Sequence, residues 1–494
     1  MINFPQLFLQ LRIFLFILPA GKFLNRCGKI KADIKQERGG SMYITKLYLE
    51  NFRCYDKFEI DFDKELTVIV AENGQGKTAI LDAVAIAMGP YLSCFADGKA
   101  RSIHETDVRQ SVETAGKTQL EILRMKSQYP VIISAEGDID GEKIKWQREL
   151  NNAKGRTTMQ HAKSLGNYGR RMVEALRAKD DNNVVLPVIA YYGTGRMWND
   201  SKLRNTLKNI DLERSSGYMD CLESTSSYVN FGHWVKYAVM SAAEIERIIA
   251  EKHLNEKNPY REVFKAVEQA IVTCIGSMGW TDIDYSFVRQ NLVLKHKTRG
   301  ILPIEALSDG ARSVISMVAD LSYRMVRLNP DLGINAVLKT PGIVLIDEVD
   351  MHLHPSWQQT VLYDLRKAFP LVQFIVTTHS PQVLTTVPPE SIRALRWDND
   401  LIDIYQPEFS LGAASYQLLK DIQNVDARPQ CVPVVKDLKR YLDLVSEDQW
   451  DCEEALELRK KLDKWAAGRE PALLRADMDI RMRSFRRKQH EKNF

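Results

Sequence analysis

The residues best suited to chemistry form a short run, Ala71-Glu-Asn-Gly-Gln-Gly-Lys-Thr78. It follows Leu66-Thr-Val-Ile-Val70, a β-branched run typical of a strand buried on both faces, and opens a helical stretch from Thr78 to Met88. Strand, glycine loop and helix are the setting of the phosphate-binding pattern GxxxxGK[ST], here with Ala71 in place of the first glycine. Around Asn73, Gly74 and Gly76 the backbone can curl its N–H groups towards phosphates, and the helix N-terminus adds partial positive charge. Lys77 is expected to reach the β- and γ-phosphates of ATP, and the Thr78 hydroxyl to ligate Mg2+. An alanine at 71 cannot readily adopt positive φ, which weakens the match at that one position.

A second constellation lies far downstream. Gly342-Ile-Val-Leu-Ile-Asp347-Glu348 is an apolar strand ending in two acids, which sets Asp347 at a sheet edge as a Mg2+ ligand. Glu348 is then placed to orient or deprotonate an attacking water. The bland alternative is a strand that merely ends in solvated acids. Leu307-Ser-Asp-Gly310 precedes a long helix about forty residues upstream of Asp347, Asp350-Met-His-Leu-His-Pro355 follows Glu348, and Thr377-Thr-His-Ser-Pro381 closes the next buried strand. His352 and His354, spaced i, i+2 without an obvious third ligand, fit a contact loop better than a zinc site. His379 reads either as a site residue or as a core histidine at a strand end. Gln110, in Asp107-Val-Arg-Gln110, is a weak candidate for a glutamine-loop residue.

These residues need a scaffold. Apolar Ile44, Leu47 and Leu49, then Phe58, Ile60 and Phe62, suggest a hairpin starting at Met42. Gly342–Ile346 and Val372–Val376, separated by a helical segment from Trp357 to Phe369, make a strand–helix–strand unit and hence a parallel sheet covered by helices. The expected fold is therefore α/β, a P-loop NTPase with a mixed or parallel sheet flanked by helices. Five regions are expected: an extension over 1–41; a first lobe over 42–197 with the phosphate loop and a β-hairpin insertion; a mainly helical arm over 198–300; a second lobe over 301–415; and a helical region over 416–494 with a basic tail.

With 494 residues, 45% apolar and 27% charged, the chain is neither disordered nor a polytopic membrane protein. Its 68 basic and 64 acidic residues leave a net charge of only +4, so any nucleic-acid surface must be a local patch. The tail from Arg475 to Phe494, with seven Lys or Arg against three acids, accounts for that whole excess. It reads as a phosphate-backbone contact or as a solvated, frayed terminus. Seven scattered cysteines without a CxxC pair suggest no disulfide framework, and the chain reads as cytoplasmic. Leu7–Leu18 is apolar but carries Gln10 and Arg12, too short to span a bilayer. It stands as an untranslated or disordered extension ahead of Met42, a membrane-associating segment, or a signal peptide.

Taken together, the phosphate loop, the Asp347-Glu348 strand end, Leu307–Gly310, Asp350–Pro355 and Thr377–Pro381 resemble the ABC-type ATPases of the SMC and RecF group. The resemblance implies an ABC-type head in which Ser308 and Gly310 cap the γ-phosphate bound by a second copy, while His379 contacts it in cis. Asn51-Phe-Arg53 is also similar to that group and implies Arg53 near the nucleotide, against the plainer reading of a surface arginine in a hairpin turn. Tyr191–Arg196, Ser215–Tyr218, Leu302–Gly310, the string DEVDMHLHPSWQ, TTHSPQVL and Val425–Pro429 narrow the likeness to the Septu ATPases (PtuA) of bacterial anti-phage systems, retron-associated forms included. That family implies ATP and Mg2+ as cofactors, a dimer or higher oligomer built around ATP, and an HNH-type nuclease partner (PtuB-like). Retron-associated forms add a reverse transcriptase with its nucleic acid; DNA or RNA contact is possible and a membrane partner is not expected. Departures are Ala71, the N-terminal extension and the basic tail. The alternatives are a RecF- or SMC-like repair ATPase, which a long heptad arm or a CxxC hook would favour, and an OLD-like ATPase-nuclease, for which too little chain follows Ser380.

Overall fold

The computed structural model describes residues 41–115, 122–178, 184–195, 213–223, 228–253, 258–286, 288, 291–398, 401–466 and 468–492. The readings for the segment before Ser41 and for Arg196 lie outside the described residues. The chain divides into two compact units, with the boundary after Ala413.

In the first unit, β1 (Met42–Phe52) pairs antiparallel with β2 (Tyr55–Asp61) and with β6 (Val131–Ile139), which in turn pairs with β7 (Glu142–Leu150). Within β1 the buried side chains include Ile44, Leu47 and Leu49, a spacing of three and then two. A bulge between Ile44 and Lys46 absorbs the extra residue and keeps all three on the core face. Asp140 and Gly141, both left-handed at φ 57° and 82°, make the tight turn between β6 and β7. A short hairpin, β4 (Gln110–Ala115) and β5 (Ile122–Ser127), stands as a separate two-stranded sheet.

The central sheet contains β3 (Leu66–Val70), β8 (Val188–Tyr192), β12 (Gly342–Ile346), β13 (Val372–Thr378), β14 (Ile392–Asp398) and β15 (Leu401–Tyr405) in the order β15-β14-β3-β13-β12-β8. All pairings are parallel except β14–β15. Every residue of β3, β8, β12 and β13 is buried, the reason these strands carry near-continuous apolar runs instead of alternation.

Helix α1 (Lys77–Leu92) is buried along almost its whole length and contains Pro90. A proline there has no N–H for the carbonyl of Ile86. Arg148 on β7 supplies the missing donor through Nη1 at 2.9 Å, and the Trp146 indole donates to Ala87 O at 2.9 Å. Gly89 makes room for this: a Cβ there would lie 2.6 Å from Arg148 Nη1. α2 (Lys163–Arg177) packs on the same helix.

The stretch expected to be helical through Gly300 is helical only in part. α3 (Tyr228–Lys252) and α4 (Pro259–Ile275) are followed by an antiparallel meander, β9 (Trp280–Ser286), β10 (Asn291–His296) and β11 (Gly300–Pro303). Buried Ile283, Tyr285, Leu292 and Leu294 carry a period of two, which overrides the helical pattern before them. Nor do the two helices project as a free arm: α4 packs against α5 (Asp309–Leu328), α6 (Val361–Ala368) and β9. On α5, Asp320 accepts from Arg324 Nε at 2.7 Å and from Tyr192 Oη on β8 at 2.8 Å. Arg324 Nη1 donates to Gly217 O and Met219 O at 3.0 and 2.8 Å, which pins the Ser215–Tyr218 segment against α5.

The second unit contains α7 (Pro433–Ser446), α8 (Glu453–Ala466) and α9 (Pro471–Lys492) around Leu438, Tyr441, Leu444, Leu462 and Leu473. Asp477 pairs with Arg459 beside this core, and the helix that carries the basic tail runs as far as Lys492. Among the described residues no helix is long and apolar enough to cross a membrane.

Candidate active site

The site follows from strand order. β13 lies between β3 and β12, in register so that Thr378 faces Val70 and Val376 faces Ile346. Three parallel strands therefore end along one edge, delivering the 71–76 loop, Asp347 with Glu348, and His379 to the same crevice.

Gly74 and Gly76 are the left-handed residues of the loop, at φ 80° and 87°; Ala71 is not, so alanine is tolerated there. A Cβ on Gly76 would meet Cys54 Sγ and Tyr55 Oη at 2.6 Å, whereas one on Gly74 would meet nothing within 4 Å. The loop thus closes against the β1–β2 turn on one side and is open on the other. Lys77 is 6% exposed, and its ammonium donates to Ala71 O and Glu72 O at 3.0 and 2.9 Å. Burial lowers its pKa, against the opposing charges of Asp347, Glu348 and Asp350.

Asp347 is held from two sides. Thr78 Oγ1 donates to its Oδ2 at 2.8 Å, and Thr377 Oγ1 to its Oδ1 at 2.6 Å. Glu348 sits at φ 49°, a left-handed conformation rare for a side chain of that size and a strain typical of functional positions. Its N–H donates to Thr377 Oγ1 at 2.8 Å, and that of Val349 to Thr377 O at 2.9 Å. The pKa of the half-buried His379 is lowered, first by burial and then by the charge of Lys77, against the nearby carboxylates.

Nine of the sequence-predicted residues, Arg53, Asn73, Gly74, Gly76, Lys77, Thr78, Asp347, Glu348 and His379, line one cleft of about 350 Å³. Arg53 reaches it with its charge already engaged: Nη1 lies 2.7 Å from Asp82 and Nη2 2.8 Å from Asp107. Burial opposes the guanidinium charge, and the two carboxylates outweigh it, leaving the pKa raised. Arg101 adds a second cation on Asp82 at 2.7 Å. Ser308 and Gly310 do not line this cleft. Ser308 is exposed and caps α5 by accepting from Ala311 N at 3.5 Å. Gly310 is buried; a Cβ there would lie 2.2 Å from His352 O, so the start of α5 rests directly on the 350–354 loop. His354 accepts from Ser356 N at 3.3 Å and caps the turn at Pro355, an ordinary structural use of that imidazole. Gln110 opens β4, outside the cleft.

Cys54, Thr377 and the Asp82–Asp107 clamp were missed by sequence reasoning. Thr377 lies inside the Thr377–Pro381 string, where its hydroxyl between two site elements was the available signal; the clamp left no local trace. Chemically, the cleft offers an open anion cradle at Gly74, a buried ammonium at Lys77 and paired hard oxygens at Thr78 and Asp347. This donor set fits a nucleoside triphosphate with a divalent cation.

Known proteins similar to this chain include ATPases. A model described as "AAA domain" matches residues 46–274, and a second AAA-domain model, whose description also names the AbiEii toxin of type IV toxin–antitoxin systems, matches residues 243–385. The "Retron Ec83 probable ATPase" of Escherichia coli is 26% identical over 91% of this chain and 88% of its own length. "Septu protein PtuA" of Bacillus thuringiensis is 24% identical over 83% of this chain and 91% of its own length. Among solved structures, the Smc head domain bound to the C-terminal domain of ScpA, from Pyrococcus furiosus, aligns with 75% of this chain and 96% of its own at a TM-score of 0.42 and 16% identity. The chain is an ATPase.

Proposed function

We propose that this ATPase, a homologue of retron ATPases and of Septu PtuA, is the nucleotide-driven switch of an anti-phage defence complex, working in the cytoplasm, where ATP is supplied. The observation that carries the reading is the convergence of Lys77, Thr78, Asp347, Glu348 and His379 on one cleft, in a chain similar to those relatives over most of its length. In this account the loop N–H groups and Lys77 hold the triphosphate, Thr78 and Asp347 hold Mg2+, and Glu348 orients the attacking water and takes its proton. The cation, when bound, neutralises charge on the phosphates. His379 senses the γ-phosphate in cis.

Exposed Ser308, at the N-terminus of a 20-residue helix, supports a contact made from a second copy, with Gly310 setting the approach of that helix. ATP bound between two heads would then hold a closed dimer and hydrolysis would release it. The dimer in turn would control a partner of the HNH nuclease class and, in a retron setting, a reverse transcriptase with its nucleic acid.

The test is Glu348→Gln, which should keep ATP binding, abolish turnover and accumulate an ATP-dependent dimer seen by light scattering. Copurification with the products of neighbouring genes, read by mass spectrometry, then identifies the partner. Normal turnover by Glu348→Gln removes that residue from the catalytic role.

A further inference from the structure

The Thr377 side chain is fully buried at the end of β13, between the two acids that close β12. A carboxylate can only accept, so the single hydroxyl proton of Thr377 must point at Asp347 Oδ1, 2.6 Å away. The lone pairs left on Oγ1 then face the Glu348 N–H at 2.8 Å. One hydroxyl therefore acts on two residues in opposite senses: it donates to the side chain of Asp347 and accepts from the backbone of Glu348.

We propose that Thr377 is a positioning residue for ATP hydrolysis, setting the rotation of the Asp347 carboxylate and the left-handed backbone of Glu348 together. Fixing Oδ1 leaves Oδ2 turned towards Thr78 Oγ1, 2.8 Å away, where the two oxygens would share a divalent cation. Holding the N–H of Glu348 stabilises its φ of 49°, which directs the side chain into the cleft instead of along the strand axis. The Val349 N–H, bonded to Thr377 O at 2.9 Å, ties down the next residue of the same turn. Valine has the shape of threonine without the hydroxyl, whereas serine keeps the hydroxyl without the methyl. This inference rests on the ATPase assignment of the cleft and adds a buried residue that is not part of the cleft's lining.

The experiment uses the full-length chain and four proteins: wild type, Thr377→Val, Thr377→Ser and, as a control on the site itself, Glu348→Gln. ATPase rate, half-saturating Mg2+ and Mg2+-free affinity for a fluorescent ATP analogue are measured for each. Thr377→Val is expected to bind the analogue within about two-fold of wild type, lose about 30- to 100-fold in kcat, and need several-fold more Mg2+. Thr377→Ser is expected to recover kcat to within about five-fold of wild type. Wild-type kcat in Thr377→Val overturns the proposal. So does a Thr377→Ser protein as slow as Thr377→Val, because then the methyl packing matters and not the hydroxyl. If Thr377→Val does not fold, the serine variant decides alone: normal Mg2+ demand and kcat support the hydroxyl, and loss of either rejects it. Turnover unaffected by Glu348→Gln would reject the catalytic reading of the cleft, a result separate from any outcome at Thr377.

Discussion

Thr78 Oγ1 and Asp347 Oδ2 stand 2.8 Å apart although 269 residues separate them in the chain. The contact joins the start of α1 to the end of β12 across the intervening β13, so it exists only if the parallel sheet has formed in its observed order. Both oxygens are hard donors, and the pair marks where a divalent cation would bind. Asp347→Asn keeps the volume and removes the charge. It is expected to lower Mg2+-dependent turnover by at least about 100-fold while retaining Mg2+-free analogue binding; Lys77→Ala should lose both. Mg2+ titrations of the two variants check the split.

The two glycines of the phosphate loop should respond differently to alanine. Both carry positive φ, so each substitution costs on the order of 1 kcal/mol of backbone strain. Gly76→Ala adds a collision with Cys54 and Tyr55, while Gly74→Ala meets open space. Thermal melts without nucleotide should therefore show a larger loss for Gly76→Ala, by about 1–3 kcal/mol more. Equal losses would mean that the β1–β2 turn yields to the new methyl.

His379 supplies a pH signature. Because its pKa is lowered by burial and by Lys77, the folded chain binds fewer protons than the unfolded chain just below the ordinary histidine value of about 6.5. Stability from this residue is fully present above that pH and is lost as pH falls towards the lower folded value. The group is only half-buried, so the effect is small, about one or two degrees in Tm. Melts between about pH 7.5 and 5.5 should fall less steeply for His379→Gln than for wild type.

The Arg148 clamp is a prediction about the fold alone. Arg148→Met leaves the Ile86 carbonyl without its donor and should cost about 2–4 kcal/mol in urea denaturation. Pro90→Ala restores a backbone N–H to that carbonyl, and should recover about 1 kcal/mol of the loss in the double variant. Strict additivity would show that the arginine acts through packing and not through this bond.

Much of this architecture could be read from the chain because its signals are local. The runs at 66–70, 342–346 and 372–376 are short, rich in β-branched residues and bounded by loop residues, which marks them as strands, and the glycine spacing before Lys77 follows a phosphate-binding pattern. What stayed hidden depends on distant partners. Arg53 carried two readings, a site residue or a surface arginine in a hairpin turn, and nothing local chose between them because its acid Asp107 lies 54 positions away. The β9–β11 meander was read as helix because its exposed faces carry Thr281, Asp282 and Lys295, which blur the alternation of Ile283, Tyr285, Leu292 and Leu294. Thr377 stood inside a recognised string, yet its two hydrogen bonds became visible only once Asp347 and Glu348 were placed beside it.

The central claim is that one copy's cleft is completed by Ser308 of another, and mixing two inactive variants tests it most directly. Lys77→Ala cannot hold ATP in its own cleft but presents a normal Ser308; Ser308→Arg binds ATP but blocks its neighbour. Combined, they form one intact composite site per mixed dimer, so ATPase activity should reappear at up to about a quarter of the wild-type rate under random pairing. Activity that stays at the sum of the two separate proteins, under conditions where mixed dimers are shown to form, would contradict the account.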